Sequence, residues 1–418
     1  MVVQRVSARQ YCCMHGGQWS EEYHPNDAGN HALKIRVVRD VPYIWFMQDG
    51  QIMKVRDVVY ELERWAPPSL QESYDNSGLL VGDLDADVTG VLVSLDCTEE
   101  VVAEAVALGA NVIVSHHPIV FKGLKRFTGT TYVERTVMAA IRQGVQLYAI
   151  HTNLDNVADG VNQRLAELVG CTRESLRILR PKNDLLKQVV VYVPADHSDA
   201  VQQAMFDAGA GRVGNYDECG WSVEGQGTFR PLGGAEPFAG QVGVRERAHE
   251  RRVEVVTTPE LLSAVLQAMK AAHPYEEVAH GVWTLENVLT NVGSGMVGNL
   301  PTSMSEEAFL DSVKSALGCA ALKHTKLLNR EVRKVAVCGG SGSFLLSDAI
   351  RSGADVFVTS DFKYHEFFDA DGRIIIADVG HYESEWQTTD LIVNRLNEKF
   401  PNFAVHLAKA NPNPIHYR

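Results

Sequence analysis

The sequence predicts an α/β protein: a duplicated three-layer α/β/α fold, interrupted by a ferredoxin-like α+β module. Three observations carry that prediction. From Val88 onward strand and helix patterns alternate, as in parallel or mixed sheets with helices on their faces. The stretch VLVSLDCTEEVVAEAVALGANVIVSHH from Val91 aligns without a gap on VAVCGGSGSFLLSDAIRSGADVFVTSD from Val335, at a constant offset of 335 − 91 = 244, which implies two related halves around one cleft. Between residues 185 and 286 the order strand, helix, strand occurs twice, the element order of a ferredoxin-like unit.

In chain order, residues 1–52 carry neither helix nor strand period, so they are expected to be a poorly ordered leader, with Met53 as the natural start. The apolar stripe Val55, Val58, Val59, Leu62 and Trp65 predicts a helix stopped by Pro67 and Pro68. VTGVLVSLD reads as a strand. TEEVVAEAVALG reads as a helix that opens on Thr98, carries Glu99 and Glu100 in its first turn and closes at Gly109, each suited to its end by capping and dipole. ANVIVSHH follows as a strand, residues 131–143 as a helix ended by Gly144, VQLYAIHTNLD as a strand and GVNQRLAELVG as a helix. The expected division is 53–184 for the N-terminal half, 185–286 for the inserted module and 287–418 for the C-terminal half.

Length and composition bound the function. A chain of 418 residues is expected to form two or three domains of about 100–200 residues each. Its 45% hydrophobic and 22% charged residues are those of an ordinary globular protein. The net charge of −13 and pI near 5.6 argue against a general nucleic-acid binder. Seven cysteines with no C-x-x-C spacing suit buried thiols in a reducing compartment, and no apolar run approaches the roughly 18 residues of a membrane span. Cytoplasm is the simplest location.

The chemistry gathers at strand ends. VIVS is a buried-strand pattern that stops at His116 and His117, with Pro118 immediately after. Successive side chains of extended backbone point to opposite sides, so the two imidazoles reach two ions, or one ion with one ring turned away. Alone, such a pair reads equally well as two hydrogen-bonded structural histidines. Three further segments end strands in the same way: HTNLD with His151 and Asp155, TSDFKYH with Asp361 and His365, and GHYESE with His381, Glu383 and Glu385. Together they bring imidazole and carboxylate, without thiolate, to the carboxyl ends of strands where α/β proteins place ligands. That donor set suits Zn, Mn, Fe or Co. His381 and Glu385, four apart, share one face of a helical turn. CGGSGSF at Cys338–Phe344 lacks the Lys-Ser/Thr of a P-loop, which favours a tight turn into a helix over a phosphate cradle.

SHHPIVF, HTNLDN, TSDFKYHEF and GHYESE together resemble the NIF-three-like proteins, also known as homologues of type-two GTP cyclohydrolase I, over a stretch from about Met53 to the C-terminal region. The resemblance implies a dinuclear centre of two divalent ions, with His116, His117, Asp155, His381 and Glu385 as ligands. It leaves His151, Asp361, His365 and Asp75 as cleft or supporting groups. It also implies a PII-like insertion, which carries HPYEE at His273–Glu277, and a toroidal hexamer. The first functional reading is a metal-dependent hydrolase acting with an activated water on a phosphate-containing or nucleotide-like substrate. The second is a metal-binding scaffold or sensor whose inserted module regulates access or binds a partner.

Overall fold

A computed structural model describes residues 52–183, 185–401, 403–410 and 413–418; the expected leader, residues 1–52, lies outside them except for Ile52. The described chain begins on helix Val55–Trp65, whose buried stripe is Val55, Val58, Val59, Leu62 and Trp65. Strands β1 (Gly78–Val81), β2 (Val91–Ser94), β3 (Val112–Ser115) and β4 (Gln146–Ala149) follow. Helix Glu99–Ala107 is capped by Thr98, and helix Tyr132–Gln143 by Thr131, with Gly144 left-handed at its far end. Each N-cap hydroxyl satisfies a backbone N–H that would otherwise be orphaned, which stabilises by about 1 kcal/mol.

β5 (Arg177–Lys182) precedes β6 (Lys187–Pro194), β7 (Gly220–Phe229), β8 (Glu246–Thr257) and β9 (His280–Thr284), and then come β10 (Leu289–Ser305), β11 (Lys323–His324), β12 (Glu331–Ser341), β13 (Val356–Ser360), β14 (Ile375–Asp378) and β15 (Val405–Leu407). They form three sheets: a five-stranded one ordered β1-β4-β3-β2-β15, a six-stranded one ordered β11-β14-β13-β12-β10-β5, and a four-stranded one ordered β7-β8-β6-β9. The first two each contain a parallel core in the same register. Val91 pairs with Val112 and Val112 with Gln146 in one; Val335 pairs with Val356 and Val356 with Ile375 in the other. The offset of 244 therefore relates two strand pairs as well as two stretches of sequence.

Burial explains why these cores form. Val112, Ile113 and Val114 are at most 1% exposed, and each contributes about 1.5–3 kcal/mol by leaving water. Two features differ from the sequence expectation. The strand expected through VQLYAIHTNLD ends at Ala149, and Thr152–Asp155 turns into a short helix, because Asn153 accepts the His151 N–H with its side chain and bends the backbone out of the ladder. The sheets also exchange edges: β15, from the end of the chain, pairs with β2, while β5 pairs with β10.

All described cysteines are unpaired, and Cys97, Cys171, Cys319 and Cys338 are buried. Among the described residues no helix is long and apolar enough to cross a membrane.

Candidate metal centre

The carboxyl ends of the parallel strands of the first two sheets meet. On the first side the ladder continues past β3, since His116 and His117 donate their N–H groups to Ser94 and Leu95 carbonyls at 3.1 and 2.9 Å. Both rings are thereby held at the sheet's edge. On the second side β14 leads through Gly380 into helix His381–Glu385, where His381 Nε2 lies 3.0 Å from Glu385 Oε2. The single helical turn expected from their spacing is present.

Four imidazoles converge here, and each has its Nδ1 engaged elsewhere. His116 Nδ1 is 2.8 Å from the Ile150 carbonyl, His117 Nδ1 2.8 Å from Asp96, His151 Nδ1 2.7 Å from Asp75, and His381 Nδ1 2.6 Å from Asp361. An acceptor at Nδ1 selects the tautomer with the proton on that atom and leaves the Nε2 lone pair for an ion, the usual support of a metal-bound histidine. The Nε2 atoms point inward. His117 Nε2 is 3.0 Å from Glu385 Oε2 and 3.3 Å from His381 Nε2; His116 Nε2 is 3.7 Å from Asp155 Oδ1 and 3.8 Å from Glu385 Oε1.

Three sets of donor atoms lie within 4.8 Å of one another: His116, His117 and His151; His117, His381 and Glu385; His116, Asp155 and Glu385. A divalent ion that holds ligands at about 2.0–2.2 Å spaces neighbouring donors roughly 3–3.5 Å apart, close to the separations found. Two further facts fit a cation. His116 Nε2 and Asp155 Oδ1 are shut off from solvent with no hydrogen-bond partner, a costly state unless something occupies the space between them. Gly340 adopts a left-handed conformation at φ 62° beside Glu385, where a Cβ would stand 2.3 Å from Oε1, so only glycine keeps that carboxylate in place.

The electrostatics are those of a charge-balanced pocket. Burial works against a charged His117 ring, yet Asp96 and Glu385 raise its pKa to about 10. His381, opposed in the same way by burial, is raised by Glu385 and Asp361 to about 11. Burial alone would push Glu385 up, but His381, His116 and His117 hold it well below the usual carboxylate range. Asp155, buried beside Glu385, is pushed well above that range, and burial lowers His116. In the metal-free chain, protons on His117 and His381 thus supply the positive charge that a divalent ion would bring.

His116, His117, Asp155, His381 and Glu385, the ligands implied by the resemblance, all belong to this cluster. His151, expected as a supporting group, offers its ring to it directly, and Asp75 and Asp361 stand behind His151 and His381. His365 is brought to none of the three sets; it is exposed beside Tyr364 and Phe368. Sequence reasoning missed Asp96, the partner of His117. It also missed that HTNLD and HYESE share one spacing, 155 − 151 = 385 − 381 = 4, a signal that would have placed His151 alongside His381. A cleft of about 330 Å³ opens over His117, His151 and His381, with Pro118, Phe121 and Ile415 on its walls.

The chain matches the family described as Duf34/NIF3 (NGG1p interacting factor 3) over residues 53–414. It is 39% identical over 334 residues to the GTP cyclohydrolase 1 type 2 homolog of Halalkalibacterium halodurans, covering 79% of this chain and 89% of that one. With the Bacillus subtilis protein of the same name it shares 34% over 365 residues, 86% of this chain and 97% of that one. Among solved structures, a Bacillus cereus protein related to NIF3 superposes with a TM-score of 0.73 at 36% identity, covering 88% of this chain and 99% of that one. The Staphylococcus aureus protein SA1388 gives 0.69 at 30% identity with the same coverage. A family match across most of the described chain, with relatives of this identity along nearly their whole length, establishes that the chain belongs to the Duf34/NIF3 family.

Proposed function

We propose that His116, His117, His151, Asp155, His381 and Glu385 hold two divalent ions and that the protein is a metal-dependent hydrolase of a phosphate-containing or nucleotide-like substrate. One observation carries this reading: four imidazoles and two carboxylates converge while every Nδ1 is tied outward. When bound, the ions supply Lewis acidity, which activates water and offsets negative charge developing on the substrate. The remaining roles belong to the chain. Asp96, Asp75 and Asp361 orient the rings, and Asp361, half-exposed, is the group placed to take up or return a proton. Phe121, Pro118 and Ile415 narrow the cleft against bulk water. The names of the relatives favour a nucleotide, with ring opening of GTP as one reaction of the class.

The same reading takes the two parallel cores as a duplicated three-layer fold (53–184 and 287–418) with a PII-like insert at 185–286, assembled as a homohexamer in the cytoplasm. The matching registers of the two cores support the duplication. The strand order β7-β8-β6-β9 supports the insert. A phosphoester and nucleotide screen with added Mn or Zn tests the activity. Turnover should require the metal and vanish in Asp155→Ala; turnover indifferent to both would remove the metal from the reaction.

A further inference from the structure

A cavity of about 680 Å³ lies in the inserted module, against β7 and β8 and beneath the turn that follows helix Pro259–Ala272. The HPYEE stretch, for which the metal centre has no use, builds it. His273 is 7% exposed; its Nδ1 accepts the Tyr275 N–H at 3.1 Å and its Nε2 donates to the Tyr192 carbonyl at 3.0 Å. Those two bonds need a neutral ring, and burial lowers its pKa accordingly. They fix Tyr275 so that its hydroxyl donates to Glu250 Oε1 at 3.1 Å. Burial and Glu250 push that hydroxyl up to about 12, so it remains a donor.

Glu250 is the centre of the site. It reaches in from β8, is 8% exposed and lines the cavity. Tyr275 satisfies one oxygen; among the described residues nothing donates to Oε2. That oxygen lies against Gly227 of β7, where a Cβ would stand 2.0 Å away, so the strand gives up a side chain to make room for it. With no donor from the protein, that oxygen is open to the cavity and free to accept from a ligand. Aromatic rings line the same cavity: Phe229 and Phe238 stand 5.6 and 6.0 Å from Tyr275, centroid to centroid. The lining carries four glutamates, Glu224, Glu250, Glu276 and Glu277, against two arginines, Arg230 and Arg252, and Arg252 is already paired with Glu254 at 2.9 Å. An anion would face Glu250, whereas a cation with N–H groups meets an acceptor and several ring faces.

We propose that this cavity is a second binding site, for a small organic ammonium ion whose N–H groups donate to Glu250 Oε2 and whose alkyl part packs against Phe229, Phe238 and Tyr275. The test is isothermal titration of the full chain with n-butylammonium chloride at fixed ionic strength. Saturable binding at one site per chain is expected. Glu250→Gln should weaken it at least about tenfold, the worth of a hydrogen bond to a charged group, while the metal content stays unchanged. Tetramethylammonium, which has no N–H to donate, should bind several-fold more weakly. Gly227→Ala, which crowds Oε2 without removing the charge, gives an independent second variant with the same expected loss. Absence of saturable binding, equal affinity in Glu250→Gln and Gly227→Ala, equal affinity for tetramethylammonium, or saturable uptake of inorganic phosphate instead would each overturn the proposal.

Discussion

At the scale of single residues, the centre depends on groups that hold its rings by Nδ1. Asp96 is 44% exposed at its side chain, yet it alone fixes the His117 ring through Nδ1. Asp96→Asn should therefore weaken metal binding about 10–100-fold, as read by competition with a chromophoric chelator, and lower the melting temperature of the metal-free chain at pH 7, where the charge on His117 loses its partner. The protons on His117 and His381 give a second expectation. Both rings have folded pKa values, about 10 and about 11, above the ordinary 6.5. A raised folded pKa gives stability that is fully present below the unfolded value and is lost as pH rises through the folded one. The chelator-treated chain should thus lose thermal stability between pH 7 and pH 10, whereas the metal-loaded chain, whose rings are already deprotonated, should lose less. Parallel melting curves for the two forms would contradict this.

At the scale of elements, the proposed insert is placed to be removable. Lys182 of β5 is the Cα partner of Leu289 of β10, so the chain leaves for the module and returns at adjacent points of one sheet. Deleting residues 185–286 and joining the ends with a short Gly-Ser linker should keep the metal stoichiometry, since the whole donor cluster lies outside the module. An aggregated, metal-free product would count against an insertion. Elements were also where the sequence was most legible. Thr98, Thr131 and Gly144 mark helix ends by local hydrogen bonds and backbone freedom, and VIVS marks a buried strand by its unbroken apolar run. HTNLD was misread as strand because its turn depends on Asn153 capping the His151 N–H, a contact with no period. The partner of His117 was invisible for another reason: Asp96 lies at the end of a neighbouring strand, and only the sheet brings the two together.

At the scale of the whole molecule, the donors come from both parallel cores, and the sheets exchange strands. His116, His117, His151 and Asp155 follow β3 and β4, and His381 and Glu385 follow β14. β15 crosses to the first sheet and β5 to the second. The repeat at offset 244 made two parallel cores of matching register readable; the exchange was not readable, because edge strands of three to six residues pair by position and carry no partner signature. Neither half should bind metal well alone, and added Mn or Zn should raise the melting temperature of the intact chain, because the site exists only in the folded state. Elemental analysis of the purified chain beside Asp155→Ala and Glu385→Ala tests the centre most directly. Two metals per wild-type chain and a deficit in both variants, larger than one ligand's share because each carboxylate also offsets charge between two cations, is the expected result. Full occupancy in both variants would return the histidines after VIVS to a structural role and contradict the dinuclear centre.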